Sequence, residues 1–416
     1  MNFDDTPQEA SFRAEVRAWI AANAPTELRD ELELAGFGQP ALRSGDVLAA
    51  SKAWQKKKAQ SGWACLHWPE DCGGRGASPI ERVIWQQEEG AYGKLASIFL
   101  IGQGMIGPTL MAYAQEPHKR RYLPPLASGE EIWCQLFSEP VAGSDLAGLR
   151  TRAELVGDEW VINGQKIWTS GAHYSDYGMI LTRTDPSVVK HDGLTMFFFD
   201  MKSPGVEVRP IKQVNGQSGF NEVFFTDLRV PDHQRLGAVG QGWRVSLTTL
   251  MNERLSISEN SQRGINFEML MKLANSVEGS RGPAIQDKAV REQLAGWYAK
   301  YMGLRNGRYR TMTALSQGAR PGPEASINKA VFASMLQDMA SFGLDLLDTA
   351  GIAYDPELEG FRRQFAEAYM GSPGLRIAGG TDEILRNIIA ERVLGLPPDI
   401  RADKGIPFNK VPTGAN

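Results

Sequence analysis

The hydrophobic period of this chain changes twice, and no other feature of the sequence constrains the fold as tightly. From residue 1 to about 130, apolar residues recur three and four apart, the spacing of helices with one buried face. The stretch "IERVIWQQEEG" (Ile80–Gly90) is one case, and the opening segment sets Phe12, Val16, Trp19 and Ile20 on one face. Between about 131 and 240 the period becomes two, as in strands. From Gly242 the helical period returns. Helix, strand and helix in separate blocks predict an α+β multidomain protein. The expected parts are an N-terminal all-α domain (1–130), a middle β-barrel (131–241) and a C-terminal four-helix bundle (242–396). A tail (397–416) carrying four prolines is expected to be extended or disordered.

Turn and cap chemistry sharpens this outline. In "EWVINGQKIWTSG" the pair Asn163-Gly164 stands between alternating runs and predicts the turn of a hairpin. The runs "YGMILTRT", "GLTMFFFDM", "GVEVRPIKQV" and "NEVFFTDLRVP" predict further strands, and "LASIFLIGQGMIGPTLMAYA" predicts a buried helix. One long helix is expected across "WRVSLTTLMNERLSISENSQRGINFEMLMKLA". In "GLRIAGGTDEILRNIIAERVLGLP" (Gly374–Pro397), Thr381 is a candidate N-cap with Asp382 and Glu383 in the first turn, and two glycines leave the backbone approachable.

Several functional classes are disfavoured. The 416-residue chain has a formal net charge of −4, so no basic field draws nucleic acid or anionic lipid. Cys65, Cys72 and Cys134 have neither metal-type spacing nor disulfide-scaffold density. His67, His118, His173, His191 and His233 include no helix-spaced pair suited to zinc, and no metal is expected. There is no Walker loop, no G-x-G-x-x-G after a strand, and the serine of "AGSD" lacks the nucleophile-elbow context. The N-terminus has no signal-peptide pattern and no segment is expected to span a bilayer, which together predict a cytoplasmic protein.

The segment "SEPVAGSDLAGLRTRAELVGDEWVINGQKIWTSGA" (Ser138–Ala172) resembles the flavin-binding segment of the acyl-CoA dehydrogenase family. The Gly374–Pro397 stretch is similar to that family's C-terminal helix signature, and the resemblance runs over roughly residues 5–396. It implies FAD lying between barrel and bundle. By resemblance, Leu136, Phe137 and Ser138 meet the pyrimidine edge of the ring, and Gly143 and Ser144 form a loop approaching flavin and acyl-CoA. Trp168 would lie against the ring, with Thr169 and Ser170 beside it, Ser170 near N5. Thr381, Asp382 and Glu383 would meet the FAD, and Gly380 the substrate thioester. Without the resemblance, Trp168 reads equally as a core aromatic.

In many members of the family a glutamate directly before that Gly-Thr pair is the catalytic base; here the position is Gly379. Other members carry the base in a Glu-Arg-Leu context on the first long C-terminal helix, and "LMNERLSI" matches it. Glu253 lies three residues after Leu250 and four before Ile257, on their helical stripe. The resemblance implies Glu253 as base and Arg254 as a substrate-side or flavin-side group; a solvated glutamate and a structural arginine are the ordinary alternatives. The activity implied is α,β-dehydrogenation of an acyl-CoA to a trans-2-enoyl-CoA, with electrons passed to an electron-transfer flavoprotein.

Two further segments depart from the family pattern. Relatives that assemble as homotetramers reach a neighbour's FAD with Arg-x-x-Phe-Gly and Gln-x-x-Gly-Gly segments. The first appears here as "EGSRGPAI" (Glu278–Ile285), with Glu278 and Arg281 at the Arg and Phe positions. The second appears as "DLLDTAG" (Asp345–Gly351), with Asp345 for the glutamine and Asp348-Thr349 for the glycines. An aspartate is a poor neighbour for a pyrophosphate. Alternatives are therefore an α2β2 heteromer with a related chain acting on bulky steroid-like or branched acyl-CoA, and a homodimer or homotetramer with an altered adenine pocket. An oxygen-using oxidase or monooxygenase of the same fold and a scaffold subunit without activity are the remaining readings.

Overall fold

The computed structural model describes residues 5–34, 42, 45–259, 264–279, 282–316, 322–353, 360–401 and 403–412, with the backbone alone at 253–259, 312, 315–316, 325 and 361. Tertiary contacts gather the chain into two compact units, one of residues 1–50, 78–95 and 257–397, the other of 51–77, 96–256 and 398–416. Both draw on the N-terminal helical segment.

The second unit is built on one eight-stranded sheet. Its strands are β1 (Trp133–Leu136), β2 (Arg152–Val156), β3 (Glu159–Ser170), β4 (Tyr177–Arg183), β5 (Leu194–Asp200), β6 (Val206–Ile211), β7 (Phe220–Pro231) and β8 (Arg235–Leu236). The order is β6-β7-β3-β2-β4-β5-β8, with β1 parallel on β4. The sheet curls on itself: Phe199 of β5 meets Phe225 of β7 edge-on at 5.7 Å although the two strands are far apart in that order. Alternation along β4 and β5 serves two cores. Ile180, Phe197 and Phe199 fill the sheet interior. Met179, Leu181, Met196 and Phe198 face the other way, onto Leu110, Leu123 and Leu126 of the helical segments. Burial on both faces is why these strands read as nearly unbroken apolar runs.

The first unit packs helices Phe267–Ser276, Lys288–Ser316, Ala325–Leu347 and Gly360–Leu375 around Leu270, Leu273, Leu294, Leu336, Met339 and Phe365. Its N-terminal helix Pro7–Asn23 starts with a capping box between Thr6 and Glu9 and buries Val16 and Ile20.

Five expectations change. The hairpin turn is Gly157-Asp158, since Val156 pairs with Glu159 and Gly157 has φ +69°. Asn163-Gly164 is instead a bulge inside β3, where a Cβ on Gly164 would stand 2.5 Å from Thr151 Oγ1 and Asn163 Nδ2 donates to Asp227 Oδ1 at 3.0 Å. The stretch expected as one buried helix divides into the end of a 3-10 helix (Gly90–Phe99), a π turn (Gly102–Ile106) and an α-helix (Gly107–Tyr113). There Gly107 lets Trp68 pack against the backbone, since a Cβ would meet the indole at 2.1 Å. The first C-terminal helix is described over Gly242–Glu259, and a separate one starts at Phe267 with Asn266 as N-cap.

Within the tail, Phe408–Lys410 form a 3-10 turn, with Phe408 N donating to Val188 O at 2.8 Å. By length and composition, Ser326–Leu347 is long and apolar enough to cross a membrane, against the expectation of no such segment. In the fold its Met335, Leu336, Met339 and Ala340 are core residues.

Candidate functional site

In the sheet-bearing unit, β1 delivers Leu136 and Phe137 into the core and then opens into an exposed loop through Val141, Gly143 and Ser144. The root of the loop is fixed by a buried ion pair. Lys166 Nζ donates to Glu139 Oε1 at 2.8 Å and to Phe137 O at 2.9 Å. Glu139 also accepts from Arg150 N at 2.6 Å and Thr151 N at 2.9 Å. Burial pushes the Glu139 carboxyl up, but Lys166 and these donors outweigh it and hold it below the usual range. Ile167 N, next along β3, donates to Ser138 O at 2.9 Å, so the loop root and β3 are laced together.

The same lacing sets a bulge in β3, where pairing to β7 slips between Lys166 and Thr169. Trp168 takes φ +59° there, a left-handed conformation that costs a bulky residue about 1–3 kcal/mol. Its indole is 55% exposed, with Phe220 edge-on at 5.9 Å. Buried Asn221 holds the far side, its Nδ2 donating to Thr169 O at 2.9 Å. Thr169 Oγ1 is buried without a partner among the described residues, and Ser170 continues the ladder opposite Phe220. At Gly143 an added Cβ would meet nothing within 4 Å, and its φ is not left-handed, so no protein neighbour requires glycine. A strained, exposed indole, an orphaned hydroxyl beside it and an unexplained glycine fit a planar, hydrogen-bonding aromatic ligand such as a flavin.

Helix Gly242–Glu259 carries Glu253 and Arg254; their side chains lie outside the described residues. Its rotation is fixed upstream. Thr249 Oγ1 lies 2.9 Å from Thr109 Oγ1 in a buried contact, and Thr248 Oγ1 lies 3.0 Å from Tyr113 OH. Val245 enters the core, whereas Leu247 and Met251, one turn apart, are 43% and 53% exposed. Cys134 is no rival nucleophile, being wholly buried with its thiol pushed up to about 12.

In the other unit, Thr381 is the N-cap of Asp382–Ile388, its Oγ1 accepting from Ile384 N at 3.2 Å. Gly379 and Gly380 both have left-handed φ, +66° and +97°. The Gly380 carbonyl accepts from Lys329 Nζ at 2.5 Å. Asp382 is buried and accepts from Arg376 Nε at 2.7 Å, and its Oδ1 has no partner among the described residues. Glu383 is exposed. Asp345 and Asp348 line a groove of about 590 Å³ with Ser341, Leu344, Gly351 and Tyr369. Glu278 pairs in a two-stranded ribbon, and Arg281 lies outside the described residues.

Sequence reasoning missed Glu139, Lys166 and Asn221. A signal existed for Lys166, which falls in phase with buried Trp160 and Ile162 on β3, an inward position where a lysine requires a partner. Asn221 carried none, because its role depends on pairing to a bulge.

Three family models match the chain: acyl-CoA dehydrogenase N-terminal domain (residues 6–130), middle domain (134–228) and C-terminal domain (240–394). "Acyl-CoA dehydrogenase IpdE1" of Mycobacterium tuberculosis is 38% identical over 394 residues, covering 94% of this chain and 98% of that protein. Among solved structures, "Tcur3481-Tcur3483 steroid ACAD" has a TM-score of 0.79 at 29% identity, covering 96% of this chain and 100% of that one. The ChsE4-ChsE5 complex from Mycobacterium tuberculosis has a TM-score of 0.78 at 28% identity, covering 96% and 100%.

Proposed function

This chain belongs to the acyl-CoA dehydrogenase family of FAD-dependent oxidoreductases, and from that premise we propose that it is one subunit of a heteromeric enzyme, α2β2 with a related chain, acting on a bulky, steroid-like acyl-CoA. The observation that carries this reading is the pair Asp345 and Asp348 lining one groove, in a segment that by resemblance stands for the Gln-x-x-Gly-Gly of homotetrameric relatives and lacks that pattern. Two carboxylates repel a pyrophosphate, so this chain is a poor second half for a partner's cofactor. Two of the similar solved structures, "Tcur3481-Tcur3483 steroid ACAD" and the ChsE4-ChsE5 complex, each name two proteins, which supports the same reading.

On this proposal the boundaries are 1–130, 131–241, 242–396 and the tail. Leu136, Phe137 and Ser138 serve the pyrimidine edge of the flavin, Gly143 and Ser144 the loop side, and Trp168, Thr169 and Ser170 the ring. Thr381, Asp382 and Glu383 complete the FAD contacts, while Ser144, Arg254 and Gly380 orient the thioester. When bound, FAD supplies the acceptor for the β-hydrogen as hydride. Glu253 takes the α-proton of the acyl thioester, the role left empty at Gly379, and closure of apolar Leu247 and Met251 on substrate would exclude water from it. Electrons leave to an electron-transfer flavoprotein in the cytoplasm.

The visible spectrum tests the assembly. Purified alone, the chain is expected to be nearly colourless, and to gain flavin bands when co-expressed with its related partner. Full flavin occupancy in the lone chain, with a native mass of this chain only, overturns the heteromer. Stoichiometric hydrogen peroxide without another acceptor would replace the flavoprotein acceptor by oxygen.

A further inference from the structure

The C-terminal tail touches two cations, Lys190 and Arg183, that also contact the turn following the Gly143-Ser144 loop. Lys190 Nζ bridges Asp403 of the tail and Asp145, whose Oδ1 lies at 2.8 Å. Arg183 is buried beneath the tail, its guanidinium 3.7 Å from the Phe408 ring centroid. Arg183 Nη2 donates to Ala147 O at 2.5 Å, and Nη1 donates to Lys190 O at 2.6 Å. The tail is itself seated by main-chain bonds, Phe408 N to Val188 O at 2.8 Å and Asn409 N to Pro186 O at 2.9 Å. Gly148 N donates to Asp145 O at 2.9 Å, so both cations act on one compact turn, 145–148, directly after Ser144.

Leu146 and Ala147 seat the turn in the core, and its side-chain tie to the β4–β5 loop is Asp145 on Lys190. Asp145 is largely exposed, and an exposed ion pair of that kind contributes little by itself. A second carboxylate on the same ammonium and an aromatic face on the neighbouring guanidinium restrict both cations to one geometry. We infer that the tail is a strap, with Asp403 and Phe408 as positioning residues that set the Gly143-Ser144 loop for substrate through Lys190 and Arg183. This rests on the reading of that loop as a substrate contact given above.

The test compares the FAD-loaded enzyme with Asp403→Ala, Asp403→Glu and Phe408→Ala forms. Hydrogen exchange is followed at residues 141–149, together with KM, kcat and the thermal midpoint. The expected result is faster exchange confined to 141–149 and KM for acyl-CoA raised about tenfold in the two alanine variants, with kcat and midpoint nearly unchanged. Asp403→Glu should restore both. Unchanged exchange at 141–149 overturns the strap, as does faster exchange across the whole sheet with a lowered midpoint, which would mark a structural role only. If the wild-type enzyme fails to reduce its flavin with acyl-CoA, the functional reading falls, while the exchange data still decide whether the tail holds the loop.

Discussion

Glu253→Gln in the FAD-loaded enzyme is expected to abolish anaerobic bleaching of the flavin by acyl-CoA while leaving flavin content and substrate binding intact. Glutamine keeps the shape and the hydrogen-bonding reach of the side chain but cannot accept the α-proton. Loss of a positioned general base lowers the rate by about 10²–10⁴. Stopped-flow absorbance at the flavin band separates this from a binding defect, because the spectral shift on binding a non-reactive acyl-CoA thioether should persist. Bleaching at the wild-type rate would place the base elsewhere. Adding Gly379→Glu to the Glu253→Gln form then offers a second reading, since it restores a carboxylate at the position other family members use. The left-handed φ of +66° at Gly379 strains any side chain, so recovery is expected to be partial.

Lys166→Met is the substitution expected to damage the protein most. It leaves the Glu139 carboxylate buried without its cation, which costs about 3–5 kcal/mol. The side chains are 0% and 4% exposed, so water cannot make up the loss. The double variant Glu139→Gln with Lys166→Met removes the charge as well as its partner and should recover much of the stability. If the double variant is no better than the single one, the pair acts through packing rather than charge. The effect on pH has a definite sign. Glu139 is held below its unfolded value, so its contribution is present above about pH 4.3 and is lost as pH falls through the folded value. Without Lys166 that folded value rises, and flavin release on acidification, read by fluorescence, should begin at a higher pH than in the wild type.

The Lys166 pair also shows where local reading stops. Asn163-Gly164 carries the strongest short-range turn signal in the chain, yet the turn forms at Gly157-Asp158. Both glycines have positive φ, and the choice between turn and bulge depends on Thr151 lying against Gly164, a contact supplied by the neighbouring strand. The tail misled for the opposite reason. Its prolines and weak periodicity give no local sign of structure, and its seat comes from main-chain bonds to Pro186 and Val188 and from side chains that meet Arg183 and Lys190 on another element.

The order of the blocks was determined by the sequence, because hydrophobic period is a local property that survives without knowledge of neighbours. So were the membership in an FAD-dependent acyl-CoA dehydrogenase family and the Thr381 cap, each written in contiguous residues. Only the tertiary structure decided that Trp168 stands exposed at a left-handed bulge, that Thr169 keeps a hydroxyl unpaired among the described residues, and that Glu139 and Lys166 anchor the loop between them. Those features arise where strands distant in sequence pair out of register, and a charge becomes a structural element only once its surroundings exclude water.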